Sequence, residues 1–302
     1  MGRTKILLGK DNHQLGDTIG WMGQVERYQR TSQEEVHVFC DFSNLFGASN
    51  LHAHSVDSPL RHQPFDKNFI IDFYPNNWER PSTLTNKIHC IQESGLIQTA
   101  SEILGFDKVE EAKPTISFKP KPLKTKKPIV TLASLSTMQQ KMWNYKNGWN
   151  DVISYLKKNR IDVVSIDRDA RFGAGYPLGD IPAFTPIPSR SIDKTGGGLR
   201  IAASYIKRSM FHMGLSTGLS WLAWALDKPV VSVVGHNNQR YDFSNPYRIQ
   251  NTSVCHACWD HHKMDGDDWY WCPENKNFEC TTQITPEMVI EKIDLILNLN
   301  KI

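Results

Sequence analysis

The chain has 302 residues, of which 39% are hydrophobic, 10% aromatic and 22% charged, with a formal net charge of +3. That length suits two domains, each able to bury its own core. No apolar run approaches the ~18 residues a membrane span needs, and six cysteines are too few for a disulfide scaffold. The basic residues gather at positions 119–127 without the interleaved aromatics of a base-stacking surface, so a nucleic-acid partner is not expected. The first nine residues turn polar before the apolar core of a signal peptide forms, and a cytoplasmic location is expected.

Apolar runs at residues 5–9, 36–40 and 68–74 alternate with helical patterns at 19–31 and 91–104, the spacing of βαβ units. Residues 110–128 then become rich in proline and lysine, which stiffens the chain and removes backbone donors. This predicts a first domain at 1–112, a linker at 113–127 and a second domain at 128–302. Beyond it come a strand at 129–133, a helix at 148–158, a strand at 161–166 and a loop-rich passage to Arg190. A helix at 199–207, a strand at 211–214, a helix at 218–226 and an apolar strand at 229–235 follow. A last helix at 286–297 has Thr285 at its N-cap and Pro286 at its first position. Alternation of this kind in both halves predicts an α/β protein with two parallel sheets, helices on their faces and ligands at the strand C-terminal ends. Cys40 and Cys90, beside apolar runs, read as buried thiols.

Four segments carry chemistry. Asp17, in Gly16-Asp17-Thr18-Ile19-Gly20-Trp21 between a strand and a helix, reads as an N-cap or as a carboxylate facing a cleft. After the strand at 129–133, Ser136, Thr137 and Lys141 offer the hydroxyls and positive charge that a diphosphate wants, although a solvated polar loop has the same composition. The turn Ser216-Thr217-Gly218 leads from a strand into a helix, where small residues let backbone N–H groups approach an anion. Trp221 and Trp224, three apart, read as core. Cys255, Cys258, Cys272 and Cys280, opening with a C-x-x-C pair, have the spacing of a four-thiolate site for iron or zinc within a loop at 255–280. A closed four-sulfur shell leaves no open position, so its expected role is to clamp a loop, with His256, His261 and His262 as bystanders.

Together these segments resemble the bacterial autotransporter heptosyltransferases, relatives of the lipopolysaccharide heptosyltransferases. The resemblance rests on Gly16-Asp17-Thr18-Ile19-Gly20-Trp21, Ser136-Thr137 with Gln140-Lys141, Asn147-Gly148-Trp149, Asp193-Lys194-Thr195-Gly196 and Gly218-Leu219-Ser220-Trp221. It continues through Asn245-Pro246-Tyr247-Arg248, Cys255-x-x-Cys258-Trp259, Trp271-Cys272-Pro273 and Phe278-Glu279-Cys280-Thr281. It implies a GT-B glycosyltransferase, two Rossmann-like domains facing a cleft, that moves heptose from ADP-heptose to an acceptor hydroxyl. It further implies Asp17 as the catalytic base, Ser136, Thr137 and Lys141 at the donor phosphates, and Ser216, Thr217 and Gly218 against the nucleotide sugar. Iron would be held by the four cysteines, and no catalytic divalent metal is implied. Ser216 stands where lipopolysaccharide heptosyltransferases carry aspartate. The autotransporter enzymes have a further region before their Gly-Asp segment, whereas Asp17 stands near the start here. The resemblance therefore carries over neither a protein acceptor nor a large ring, and a homo-oligomer stays open.

Overall fold

A computed structural model of the chain describes residues 2–9, 14–47, 51–72, 94–118, 120–123, 127–260, 262 and 270–299. The chain folds into two compact units, Met1–Lys119 with Gln239–Ser244, and Pro120–Asn238 with Asn245–Ile302. Among the described residues no helix is long and apolar enough to cross a membrane.

The first unit is built on β1 (Arg3–Leu8), α1 (Leu15–Ser32), β2 (Glu35–Phe39), β3 (Leu51–His54), β4 (Lys67–Ile71) and α2 (Leu96–Ile103). Its four strands pair in parallel in the order β3-β2-β1-β4. In β1 the buried residues alternate as Thr4, Ile6 and Leu8, the period-2 pattern of a strand with unlike faces. α1 is polar by composition yet buries eleven residues, Gly16, Gly20 and Gly23 among them, and at Gly23 neighbouring backbone comes close. A Cβ on Gly23 would stand 1.8 Å from the Ala112 carbonyl oxygen. The strap around Ala112 is further held where Gln24 Nε2 donates to the Glu110 carbonyl (2.8 Å) and Glu26 accepts from Thr115 N and Oγ1 (2.7 and 2.9 Å). Ser117 N donates to the Leu45 carbonyl (2.7 Å).

Residues 113–117, read from composition as linker, thus pack on the first unit, where Glu26 of α1 takes the Thr115 N–H and the Leu45 carbonyl takes that of Ser117. The segment Gln239–Ser244 also belongs to this unit rather than to the second. Its Arg240 carbonyl lies so close to Gly95 (φ 77°) that a Cβ there would meet it at 2.1 Å. Ser244 N donates to Glu111 (2.5 Å). Cys40 is fully buried, as expected; Cys90 and the expected strand end at 73–74 lie outside the described residues.

The second unit contains β5 (Ile129–Ala133), α3 (Gly148–Lys158), β6 (Asp162–Ser165), β7 (Arg171–Phe172), β8 (Thr185–Pro186), β9 (Ile192–Asp193), α4 (Leu199–Arg208), β10 (His212–Leu215), α5 (Gly218–Ala225), β11 (Val230–Val233), β12 (Arg248–Ile249), α6 (Glu279–Thr282) and α7 (Pro286–Leu299). Six strands form a parallel sheet in the order β12-β11-β10-β5-β6-β9, while β7 and β8 make a separate antiparallel pair. β5 is buried along its whole length, as befits a central strand covered on both faces. α3 turns Val152, Ile153 and Leu156 to the core beside Val130, Leu132, Phe211 and Ile293. Full burial of each such side chain contributes roughly 1.5–3 kcal/mol. Trp143 and Trp149 meet edge to face at 4.8 Å, and Trp221 and Trp224 do so at 5.5 Å, buried as expected.

Candidate functional site

Sheet order places the first candidate site. From β5 the chain moves to β6 on one side and later to β10 on the other, so the gap between β5 and β10 is a topological switch point, where loops diverge and leave a crevice. Registers Gly214↔Ala133 and Leu215↔Val233 end β5, β10 and β11 at one edge. The loops that leave there hold Ser136 and Thr137, then Ser216, Thr217 and Gly218, then His236 and Asn237.

The loop after β5 is fixed from below. Asp167, 5% exposed just beyond β6, accepts the backbone N–H groups of Ser134 (3.1 Å) and Leu135 (3.0 Å) and faces Ser134 Oγ at 3.4 Å. Burial pushes its carboxyl up to about 7 despite those donors. Ser136 Oγ accepts from Met138 N (3.3 Å), Thr137 is exposed, and Lys141 ends a 3₁₀ turn, Gln139–Lys141. That turn is stitched to the C-terminal segment: Gln140 Nε2 donates to the Trp271 carbonyl (3.0 Å), Asn144 Nδ2 to Thr281 Oγ1 (3.0 Å) and Trp143 Nε1 to the Ile284 carbonyl (2.8 Å).

The turn after β10 is tight. Thr217 N and Ser220 Oγ both donate to the Leu215 carbonyl (2.8 and 2.6 Å), and α5 begins at Gly218. Thr217 Oγ1 is buried at the head of that helix with no hydrogen-bond partner among the described residues. Ser216 Oγ accepts from Asn237 Nδ2 at 3.4 Å. Arg248, on β12, donates to the Asn237 carbonyl (2.7 Å). His236 is 3% exposed and its Nδ1 has no partner among the described residues. Burial, then the charges of Lys141 and Arg248, hold its imidazole well below the usual histidine range, hence neutral. Lys141, Ser216 and Thr217, picked from sequence, thus share one neighbourhood with His236, Asn237 and Arg248. Asp167, His236 and Asn237 escaped sequence reading, because a single polar residue after a strand carries no spacing signal.

Asp17 belongs to the first unit. α1 starts at Leu15 with Gln14 at its N-cap, so Asp17 sits half-buried in the first helical turn and is not the cap that composition allowed. Its carboxylate is favoured there by the positive end of the helix. α1 follows β1, the strand flanked by β2 on one side and β4 on the other, which is the switch point of the first sheet.

Cys255, Cys258, Cys272 and Cys280 are all free thiols. Burial, reinforced by the charges of neighbouring cysteines, pushes the Cys258 and Cys280 thiols up to about 12 and raises that of Cys255. Such mutual repulsion is what a bound cation would relieve, and the donor set fits iron or zinc in its chemistry. The four sulfurs do not form one closed group: among the described residues, the potential ligand atoms gathered within 4.8 Å are those of Glu35, His37 and His52. The C-x-x-C turn docks on the end of β11, with Ala257 N donating to the Gly235 carbonyl and Trp259 N to the His236 carbonyl (2.8 Å each). His256 Nδ1 bonds the Val254 carbonyl (2.8 Å) and His262 pairs with Glu274, so neither imidazole is directed at the thiols alone; His261 lies outside the described residues.

Comparison with known proteins gives this arrangement its class. No family model matches the chain. The structure superimposes on Escherichia coli ADP-heptose lipopolysaccharide heptosyltransferase II over 99% of this chain and all of that one, with a TM-score of 0.65 at 12% identity. It superimposes on the dodecameric iron-containing heptosyltransferase TibC in complex with ADP-D-beta-D-heptose with a TM-score of 0.86 at 28% identity, covering 98% of this chain and 77% of that one. The fold is thus the α/β glycosyltransferase fold of the GT-B heptosyltransferases, with parallel sheets.

In sequence the chain is 31% identical to autotransporter heptosyltransferase TibC of Escherichia coli O78:H11 over 297 residues, 94% of this chain and 69% of the relative. It is 30% identical to the Citrobacter rodentium heptosyltransferase BAHTCr over the same shares. The chain belongs to the autotransporter heptosyltransferase family, and it is a glycosyltransferase of that kind. A further relative, BimC of Burkholderia thailandensis, is 25% identical over 94% of this chain and 67% of the relative, and is described as inactive.

Proposed function

We propose that the chain transfers heptose from ADP-heptose to an acceptor hydroxyl, on a protein serine or threonine or on a glycan. What supports this reading is the β5/β10 switch point, where the buried Thr217 hydroxyl at the head of α5 has no hydrogen-bond partner among the described residues and Lys141 and Arg248 lie close enough to bias His236. Ser136, Thr137 and Lys141 would meet the diphosphate, and Ser216, Thr217 and Gly218 would cradle it with backbone N–H groups. Asp17 takes the acceptor proton as its oxygen attacks the anomeric carbon. The bond from that carbon to the diphosphate breaks and ADP leaves, its charge balanced by Lys141 and fixed donors. This scheme uses no catalytic divalent metal. The four cysteines would hold iron, or alternatively zinc, once the cation draws their sulfurs together into one shell, which would supply stability and no step of the reaction. On this reading the donor side lies in the second unit, Pro120–Asn238 with Asn245–Ile302; a homo-oligomer and a cytoplasmic location go with the family reading.

The inactive relative favours one second reading, a chain that binds sugar nucleotide without transferring it. A thermal-shift titration with ADP-heptose and with UDP- and GDP-linked sugars tests the donor, since saturation at about 100 times Kd stabilises the fold by about 2.7 kcal/mol. Selective stabilisation by ADP-heptose is expected. Stabilisation by another nucleotide sugar alone removes heptose from the reading. Asp17→Asn should abolish transfer while keeping the shift; transfer at the original rate would remove Asp17 from its role, and no transfer by the unaltered chain would establish the binding-only reading.

A further inference from the structure

The outer strands of the first sheet carry a cluster that sugar transfer does not use. β2 and β3 pair in parallel with His37 opposite His52 and Phe39 opposite His54. Residues two apart on a strand share a face, so Glu35, His37, His52 and His54 stand together on one side of the sheet. The rings of His37 and His52 stack with centroids 4.8 Å apart and planes at 20°. Glu35 Oε1 lies 2.8 Å from His37 Nε2 and 4.0 Å from His52 Nε2, and one ligand atom from each of the three lies within 4.8 Å of the others. A carboxylate–imidazole hydrogen bond explains the first pair. It does not explain the second imidazole, turned toward the same oxygen from the directly opposed position.

Both inner ligands have partners that would orient them. His54 Nε2 is 3.0 Å from His37 Nδ1. A cation that displaces the Nε2 proton shared with Glu35 would leave His37 protonated on Nδ1, which donates to His54, with Nε2 facing the space between Glu35 and His52. Arg3 Nε lies 3.8 Å from Glu35 Oε2, which leaves Oε1 facing the imidazoles. Of the neighbouring cations, Arg3 is thus engaged with the outer oxygen of Glu35. The Arg3 guanidinium also lies 4.8 Å over the Phe65 ring, and Lys5, opposite His37 on β1, donates to the Arg61 carbonyl at 3.1 Å. Ligand bonds of about 2.0–2.2 Å place the donors of a tetrahedral shell roughly 3.3 Å apart, so small rotations of His52 and Glu35 close the set.

We propose that Glu35, His37 and His52 bind a divalent transition-metal cation of the zinc class, with solvent completing the shell on the side of the exposed His52. One carboxylate and two imidazoles are a ligand set that zinc accepts, and it keeps an open position. The cation would tie edge strand β3 to β2, independently of the four cysteines in the other unit.

The test counts zinc bound to the full-length chain after equilibrium dialysis against zinc chloride, for the unaltered chain, His52→Gln and Glu35→Gln. The cysteine segment is common to all three and cancels in the comparison. Matching circular dichroism checks that the variants fold. The expected result is one zinc more per chain in the unaltered protein, with that equivalent held at least about tenfold more weakly in His52→Gln. Equal uptake by all three overturns the site. Cobalt loading gives a readout independent of the variants: the extra equivalent should show weak d–d bands only, and a thiolate charge-transfer band on that equivalent would assign it to the cysteines instead.

Discussion

Replacing Asp167 with asparagine tests how the loop after β5 is held. The carboxyl is 5% exposed, accepts two backbone N–H groups and has its pKa pushed from 3.8 to about 7 by burial. That displacement of about three units corresponds to about 4 kcal/mol of linkage between protonation and folding. In the unfolded chain the group loses its proton near 3.8, whereas the folded chain keeps it until about 7. Between those values the folded state binds more protons, so the contribution to stability is full below the lower value and is lost as pH rises through the upper one.

Asparagine has no such titration. It also has a single acceptor oxygen for two N–H groups, which costs roughly 1–3 kcal/mol at every pH. The unfolding free energy of the unaltered chain minus that of Asp167→Asn should therefore fall by up to about 4 kcal/mol from about pH 4 to about pH 7.5, passing from favouring the unaltered chain to favouring the variant, and stay level above it. Urea unfolding of both proteins across that range measures it. A difference that does not vary with pH, or that grows as pH rises, would refute the claim that burial outweighs the donors on this carboxylate.

Two glycines give further predictions. A Cβ on Gly235 would stand 2.7 Å from Thr281 Cγ2 and 2.9 Å from Cys280 Sγ. Gly235→Ala should cost about 1–3 kcal/mol by overpacking, read by thermal unfolding, and, on the proposed four-cysteine site, lower the iron or zinc retained on purification, read by metal analysis. Gly23→Ala drives a methyl into the Ala112 carbonyl, 1.8 Å away, where only backbone can yield. It should lower the melting temperature and expose the strap at 108–115 to limited proteolysis, and an unchanged cleavage pattern would contradict the packing described.

The alternation of apolar runs and helical patterns made the parallel sheets legible, because buried strands and amphipathic helices differ in period. The helix Gly148–Lys158 falls where its pattern predicts it, and the last helix starts at Pro286, where Thr285-Pro286 marks it. β3 stayed hidden, since His52 and His54 alternate with Leu51 and Ala53 and leave too little apolar signal. The proline-rich stretch misled about its own packing: composition reports stiffness, but the acceptor that Glu26 offers to Thr115 comes from a helix some ninety residues earlier. The placement of Ser216, Thr217 and Lys141 in loops that follow strands was legible, because hydroxyls and charge beside a strand end are local patterns. Asp167 and His236 were not, as their significance comes from register between strands distant in sequence.

The return of Gln239–Ser244 to the first unit bears on how the chain is made. During synthesis the first sheet and its helices emerge early, but the stretch whose Arg240 carbonyl seats against Gly95 follows only after most of the second unit. The start of α2 is left without that partner while β5 to β11 are still being added. Vectorial folding of the first unit is therefore incomplete until late, and a fragment cut at the unit boundary would lack a piece of its own packing that no added linker can restore.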